Sequence, residues 1–356
     1  MKKSLLALAV LSAFAGAASA QTSITIYGVV DAGYQFEKDT PGTNGEKLHR
    51  LRSGQQSGSR LGFKGTEDLG GGVQGVFTLE NGFNVDDGTM GQGNRLFGRQ
   101  AWLGLNGGFG SVKLGRQQTP LYFALNAVDP FGINLAGNAQ NFFGYGLYAL
   151  DPFSRTDNTV SYTTPNFGGF TGTVAYGFGE EPGDRNVRRQ VAAGLAFVNG
   201  PLNVQFAYHD ANNASFSATN VTNTAALGTT TAATGSDLRT AFIGATFDFG
   251  VAKAHAAFAE TDAETVAEVD NRNWMLGVSA AVGPGTVMAS YNRNDVRDID
   301  EGATDHYAIG YSHALSKRTN LYTSFGFTKN DDGVALNAYR NGENSRLFNV
   351  GVRHTF

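Results

Sequence analysis

The chain contains no cysteine among its 356 residues, so neither a disulfide nor a thiolate zinc site contributes to its stability. No apolar run after residue 20 approaches the roughly 20 residues that a membrane-spanning helix needs. The basic residues form no runs and the formal net charge is −4, so we do not expect a nucleic acid partner.

Motifs of activated nucleophiles and catalytic metals are missing as well, since the sequence has no G-x-S-x-G and no H-E-x-x-H. An enzyme that uses a nucleophile or a metal would need such a group, and we therefore expect neither an enzyme nor a cofactor or metal site. The six histidines are scattered along the chain, at His49, His209, His255, His306, His313 and His354.

One acidic patch, Asp295, Asp298, Asp300 and Glu301, offers carboxylates of the type that bind divalent cations. Its spacing does not match an EF-hand loop. A solvated loop surface is the alternative explanation.

The first twenty residues have the pattern of a secretory signal peptide. Lys2 and Lys3 precede an apolar run over 5–15, and small residues follow at Ala18 and Ala20. We expect cleavage near Ala20, which leaves 21–356 as one domain.

Short alternation of apolar and polar residues dominates the rest of the chain, which is rich in glycine (48 residues) and aromatics (12%). Around residue 60, Arg60 and Lys64 share one face while Leu61 and Phe63 share the other. Such alternation gives a strand one face for lipid and one for a polar lumen.

The alternation predicts an all-β fold, a transmembrane antiparallel β-barrel of sixteen strands. Because lipid cannot pair backbone groups, such a sheet must close on itself. We place the strands at 22–35, 58–69, 73–84, 94–106, 110–118, 157–164, 168–179, 188–199, 201–211, 236–249, 251–261, 271–283, 285–296, 304–314, 318–330 and 346–356. Short connections alternate with long ones, as periplasmic turns and external loops do. The long ones are 36–57, 85–93, 119–156, 180–187, 212–235, 262–270, 297–303 and 331–345.

The last strand alternates to the end of the chain and closes on a terminal phenylalanine. Its apolar face comprises Phe348, Val350, Val352, His354 and Phe356. A final strand of this kind resembles the signal that the outer-membrane barrel-insertion machinery recognises. A plain amphipathic strand is the simpler interpretation.

Several segments resemble the general, non-specific trimeric porins of Gram-negative bacteria, in the branch typical of beta-proteobacteria. They are IYGVVDAG at 26–33, SGSRLGFKGTEDLG at 57–70, FGRQA at 97–101, LGRQ at 114–117, SKRTNLY at 316–322 and HTF at 354–356. The resemblance implies an outer-membrane homotrimer with one pore per subunit and a third loop, 119–156, folded into each lumen. The implied partners are lipid, lipopolysaccharide, the insertion machinery, and small polar solutes and ions.

By motif and by strand phase, a group of cations is expected at the pore constriction: Arg60, Lys64, Arg99 and Arg155. Facing lipid instead, each would cost about 2–4 kcal/mol near the midplane. Arg99 is assigned to the face of Ala101, with Trp102 on the other. Arg116 has the phase opposite to Lys113, so we expect it to anchor the third loop or to contact another subunit.

Asp129 is the candidate for the acidic side of the constriction, because the segment 129–132 is similar to the acidic tip of the family's third loop. The order of acid and proline differs here, and an ordinary turn before Pro130 is the alternative. The function that these features favour is passive diffusion of small hydrophilic solutes and ions, with modest anion selectivity. A substrate-specific channel with a solute-binding constriction is the second hypothesis.

Overall fold

The computed structural model describes residues 23–144, 146, 151, 153–215, 234–264, 268–297 and 299–356. The expected signal peptide, Asp298 and most of the connection 212–235 lie outside these residues. Seventeen strands form one antiparallel sheet, and the sheet closes because β1 pairs with β17 from Val29–Thr355 to Lys38–Arg346. The strands are β1 (Ser23–Lys38), β2 (Lys47–Ser53), β3 (Arg60–Gly70), β4 (Val73–Gly82), β5 (Gln100–Gly107), β6 (Gly110–Gln118), β7 (Arg155–Thr163), β8 (Phe170–Gly177), β9 (Gln190–Asn199), β10 (Leu202–Ser215), β11 (Thr234–Asp248), β12 (Lys253–Glu264), β13 (Glu268–Val282), β14 (Gly285–Val296), β15 (Ala303–Ala314), β16 (Thr319–Asn330) and β17 (Ser345–Thr355).

The predicted barrel of sixteen strands is confirmed, because β2 and β3 share one position in the wall. The β3 strand pairs with 23–29 of β1, and β2 pairs with 32–38 of the same strand. The turn 54–59 separates them. The prediction of 36–57 as one long loop was therefore wrong, since β2 and the end of β1 extend the wall there.

The two faces of the wall differ as the alternation predicts. Along β13, Trp274, Leu276 and Val278 are exposed, whereas Asn273 and Met275 are buried. The exposed apolar face is the outside of the cylinder. The opposite face, rich in hydroxyl and amide groups, lines its interior.

The strand connections are short at one end of the barrel and longer at the other. The turn 70–72, for example, consists of three glycines that all have positive φ, a conformation that side chains with a Cβ rarely adopt. No helix of the described residues is long and apolar enough to cross a membrane.

The described residues of the segment 119–154 pack against the inner face of the wall. The segment contains the helix α2 (Pro120–Val128) and one 3₁₀ turn (Ala139–Asn141), whereas α1 is the single turn Gly91–Asn94 before β5. Thr119 caps α2 by accepting a hydrogen bond from the Tyr122 N–H. Apolar residues of the segment and inward residues of β10–β14 form the main core: Leu121, Leu125, Val128, Phe142, Phe143, Leu238, Phe242, Ala257 and Met275 among them.

Glycines on the inner face of alternate strands, β11, β13 and β15, provide the room for this segment. A Cβ atom at Gly244 would stand 2.8 Å from a methyl of Val128, and one at Gly277 would stand 2.6 Å from Pro130 Cγ. At Gly310 the corresponding distance to Phe131 is 2.9 Å. Since real Cβ atoms do not come this close to other atoms, these three glycines set how near the segment lies to the wall.

Candidate functional site

A chain of contacts on the inner face of β1 and β3–β7 is centred on Glu80 of β4. Glu80 accepts hydrogen bonds from Arg99 Nε at 2.7 Å and from the Tyr27 hydroxyl at 2.9 Å. Arg155 Nε donates to the backbone oxygen of Arg99 at 3.1 Å. The expected Arg99 and Arg155 are thus brought together, with a carboxylate that we had not assigned.

Arg60 lies at the start of β3, next to the turn 54–59. Its guanidinium donates to the Gly58 carbonyl and to the Ser57 hydroxyl, both at 2.9 Å, and it interacts electrostatically with Arg99 and Glu80. Arg60 therefore belongs to the same cluster.

Lysines extend the cationic wall toward the end with short turns. Lys64 lies four residues beyond Arg60 on the same face of β3. Its Nζ is 5.4 Å from the centre of the Tyr27 ring. Lys113 of β6 lies 4.5 Å from the ring of Trp102, a cation–π contact. Both lysines share the inner face.

The phases assigned to Arg99 and Arg155 need correction. Trp102 and Gln100 point inward and are hydrogen-bonded to each other, while Leu103 is exposed on the outside. Arg99 precedes β5, so strand alternation does not determine its direction. In β7 a register shift lies between Arg155 and Thr159, so strand alternation does not determine the direction of Arg155 either.

Arg116 forms a second cluster, in which its guanidinium is paired with Asp151 at 2.5 Å and with Asp157 at 2.8 Å. Its Nε donates to the Gly98 carbonyl at 2.7 Å. Asp151 belongs to the segment 119–154, and Asp157 belongs to β7. These contacts connect the segment to the wall, one of the two roles that we expected for Arg116.

Asp129 does not join the cluster of arginines around Glu80. Its side chain is 5% exposed and accepts hydrogen bonds from the backbone N–H groups of Phe131, Ile133 and Ala139 at 2.8–3.1 Å. The carboxylate is used to hold the turn after α2. The alternative interpretation, a turn former before Pro130, agrees with this placement, and Glu80 is the acid that meets the arginines.

Burial raises the pKa of Asp129 to about 6, although its three backbone donors act in the opposite direction. A raised native pKa means that this group stabilises the fold below about pH 4, and that the stabilisation is lost as the pH rises to about 6, at a cost of about 3 kcal/mol. The Asp129→Asn variant should lack this pH dependence. Hydrogen exchange of the Ile133 and Ala139 amides, corrected for intrinsic rates, measures it, and equal slopes in both proteins would contradict it.

The acids of the inner wall are occupied by hydrogen-bond donors. Asp31 of β1 accepts from the Tyr322 hydroxyl at 2.5 Å and from the backbone N–H groups of Gln56 and Ser57. Glu80 is bound by Arg99 and Tyr27, as described above. Excess positive charge therefore remains on this wall.

Two of these acids could have been found from the sequence. The sequence of β4 is compatible with either phase of alternation, and the structure has the phase that places Thr78 and Glu80 inward. Asp31 shares its face with Tyr27 in the alternation of β1. Neither acid has a neighbour in sequence that reveals its partners, because those partners come from other strands.

The last strand runs along β1 to the end of the chain. The Phe356 N–H donates to the Gly28 carbonyl, and the Gly28 N–H donates to Phe356, both at 3.1 Å. On the outward face, Val350, Val352 and Phe356 are exposed. Phe348 and His354 share that phase. Among the described residues, no cluster of three or more histidine or acidic side chains could hold a metal ion.

Comparison with known proteins agrees with this architecture. The profile of the Gram-negative porin family matches residues 7–333. An outer membrane porin protein of Bordetella pertussis is 35% identical over the full length of both chains.

Solved structures share the fold. An anion-selective porin from Comamonas acidovorans superposes with a TM-score of 0.80, with 31% identity over 94% of this chain and 100% of that one. The outer membrane protein OmpT of Vibrio cholerae, in its trimer form, has a TM-score of 0.67 at 16% identity over 94% of this chain and 99% of that one, which shows the fold alone. The chain therefore belongs to the Gram-negative porin family and is an outer-membrane channel protein rather than an enzyme.

Proposed function

We propose that the barrel is a general diffusion channel with a modest preference for anions, and that Arg60, Lys64, Arg99 and Arg155 form the cationic side of its constriction. The observation that carries the proposal is the imbalance of charge on the inner wall. Arg60, Lys64 and Lys113 face the lumen, while the acids Asp31 and Glu80 of the same wall are hydrogen-bonded within it.

The opposite side of the lumen supports the same proposal. There the described residues of the segment 119–154 cover β9–β16 and meet them through neutral groups. For example, Asn273 Nδ2 donates to the Phe142 carbonyl at 3.0 Å, and the Ala136 N–H donates to the Ser324 hydroxyl oxygen at 3.0 Å. Arginines on one wall and neutral dipoles on the other favour anions over cations in a narrow aqueous passage. Small polar solutes can replace lost water with hydrogen bonds to these groups.

The zero-current potential of planar bilayers in a KCl gradient tests this directly. We expect the sign that corresponds to chloride permeating faster than potassium. A potential of the opposite sign would overturn the anion preference, and bilayers that stay sealed would overturn the channel itself.

Assembly and biogenesis complete the proposal. We propose a homotrimer, as the resemblance to the trimeric porins implies. We also propose contact with outer-membrane lipid and lipopolysaccharide, because the outward face is apolar over most of its strands. The alternating face that ends at Phe356 is proposed as the signal for barrel insertion. Residues 1–20 are proposed to be removed near Ala20.

A further inference from the structure

A second group of cations lies on the inner wall, farther from the short turns than the constriction. By register, Arg50 of β2 lies opposite Gln35 and Arg52 lies opposite Gly33, while Arg60 of β3 lies opposite Val29 of the same strand β1. The order along the wall is thus Lys64, Arg60, Arg52 and Arg50, from the short turns toward the long connections.

Arg50 and Arg52 line a cavity of about 310 Å³. Its other walls come from Glu37, from Asn141 and Phe142 of the inner segment, and from Asn337. A water molecule takes about 30 Å³ of liquid volume, so the cavity has room for a small organic anion with part of its hydration shell.

Among the described residues that line this cavity, Glu37 is the one carboxylate, and it is fully engaged. Its Oε1 is bound by Arg50 and by the Gln35 amide and lies 3.7 Å from Arg52, and its Oε2 accepts from the Thr40 hydroxyl at 2.8 Å. Two guanidinium groups therefore share one carboxylate, and both oxygens of that carboxylate are already hydrogen-bonded. Asp86, on the connection after β4, interacts with Arg52 more weakly than Glu37 does.

Both guanidinium groups remain accessible from the cavity. The Arg50 side chain is 40% exposed and that of Arg52 is 52% exposed, whereas the Glu37 side chain is 6% exposed. A buried acid that holds two half-exposed arginines orients them and leaves one net positive charge at the cavity. The planar fork of a guanidinium matches the two oxygens of a carboxylate better than it matches a halide.

We propose that Arg50 and Arg52 form an outer anion site, distinct from the constriction, that binds small carboxylates and passes them to Arg60. The proposal rests on the anion preference proposed above. It adds a substrate class and a second site. By register, the second site lies about four to six residues of β1 farther from the short turns than Arg60.

Removal of both charges tests the electrostatic part of the proposal. In the Arg50→Gln/Arg52→Gln variant, single-channel conductance at about 10 mM salt should fall roughly twofold, because charges act over about 30 Å there. At about 1 M salt, where the screening length is about 3 Å, conductance should be unchanged. An equal loss at both salt concentrations would overturn the proposal, since it would indicate a narrower pore.

A matched control removes two charges on the outside of the barrel, toward the same end as Arg50 and Arg52. Lys47 and Arg346 both pair with Lys38 and point outward, so Lys47→Gln/Arg346→Gln should conduct like the unchanged protein at both salt concentrations. A loss in this control equal to that in the arginine variant would also overturn the proposal.

The Arg50→Lys/Arg52→Lys variant tests for carboxylate recognition, because it keeps both charges and removes both forks. We expect its chloride conductance to equal that of the unchanged protein, and its acetate-to-chloride conductance ratio at low salt to fall. An unchanged ratio would overturn carboxylate binding. The zero-current potential in KCl, measured on the same channels, reports separately whether the anion preference itself fails.

Discussion

The Arg60→Glu/Lys64→Glu variant is expected to reverse the sign of the zero-current potential, from anion to cation preference. Both side chains lie on the inner face of β3 in a region where Asp31 and Glu80 are already occupied by donors. A unit charge about 8 Å from the ion path contributes about 0.5 kcal/mol in water. The four units of charge changed here amount to about 2 kcal/mol before screening, more than a tenfold change in permeability ratio.

The control for this variant changes the same number of charges on the outer face. Lys329 of β16 and Arg346 of β17 are exposed there, so Lys329→Glu/Arg346→Glu should leave the zero-current potential in place. Both variants are to be compared in the same KCl gradient at low salt. If the β3 variant keeps its anion preference, the selectivity does not arise at this wall.

The architecture of the wall could be predicted from the sequence because a strand reports its two faces locally. Leu61 and Leu103 are apolar and point outward, whereas their neighbours Arg60 and Trp102 are polar or amphipathic and point inward. Alternation does not predict where a strand contains an irregularity such as a register shift. Asn158 has a positive φ of 51°, and the register shift beside it changes the phase of β7 within three residues.

The β2 strand was missed for a different reason. Its sequence, KLHRLRS, does not alternate apolar with polar residues, and it becomes a strand because β1 extends far enough to pair with it. Pairing of this kind is a tertiary effect that overrides local propensity. As a result, Arg50 and Arg52 were treated as loop residues although they lie on the inner wall.

In the candidate site, too, the sequence does not reveal contacts between residues of different strands. Arg60, Arg99 and Arg155 were found because their motifs and the cost of burying a cation in lipid point to the lumen. Glu80 was not found, because its partners Arg99 and Tyr27 come from other strands. Asp129 was assigned to the constriction because the short segment 129–132 is similar to the tip of the family's third loop. Its three backbone donors depend instead on how residues 131–139 fold around it.

The Gly277→Leu variant is expected to lower single-channel conductance by roughly half or more, because a packed interior does not absorb added side-chain volume and shifts instead. Gly277 of β13 faces Pro130 from the wall, and a Cβ atom there would already stand 2.6 Å from Pro130 Cγ. Carbon atoms at contact lie about 3.5–4.0 Å apart, so even Gly277→Ala moves the segment by about 1 Å toward the open lumen. Leucine adds three more carbons in the same direction, and the two variants should therefore form a graded series.

A glycine without such a neighbour provides the control for this series. At Gly172 of β8 an added Cβ would lie 3.7 Å from Thr164, an ordinary contact, so Gly172→Leu should conduct normally. Overpacking at Gly277 costs about 1–3 kcal/mol, and heat-modified mobility in gels shows whether the barrel still folds. Displacement of the segment 119–154 toward the lumen narrows the passage between Pro130 and the cationic wall. If the Gly277→Leu barrel folds and its conductance is unchanged, the segment therefore does not limit the channel.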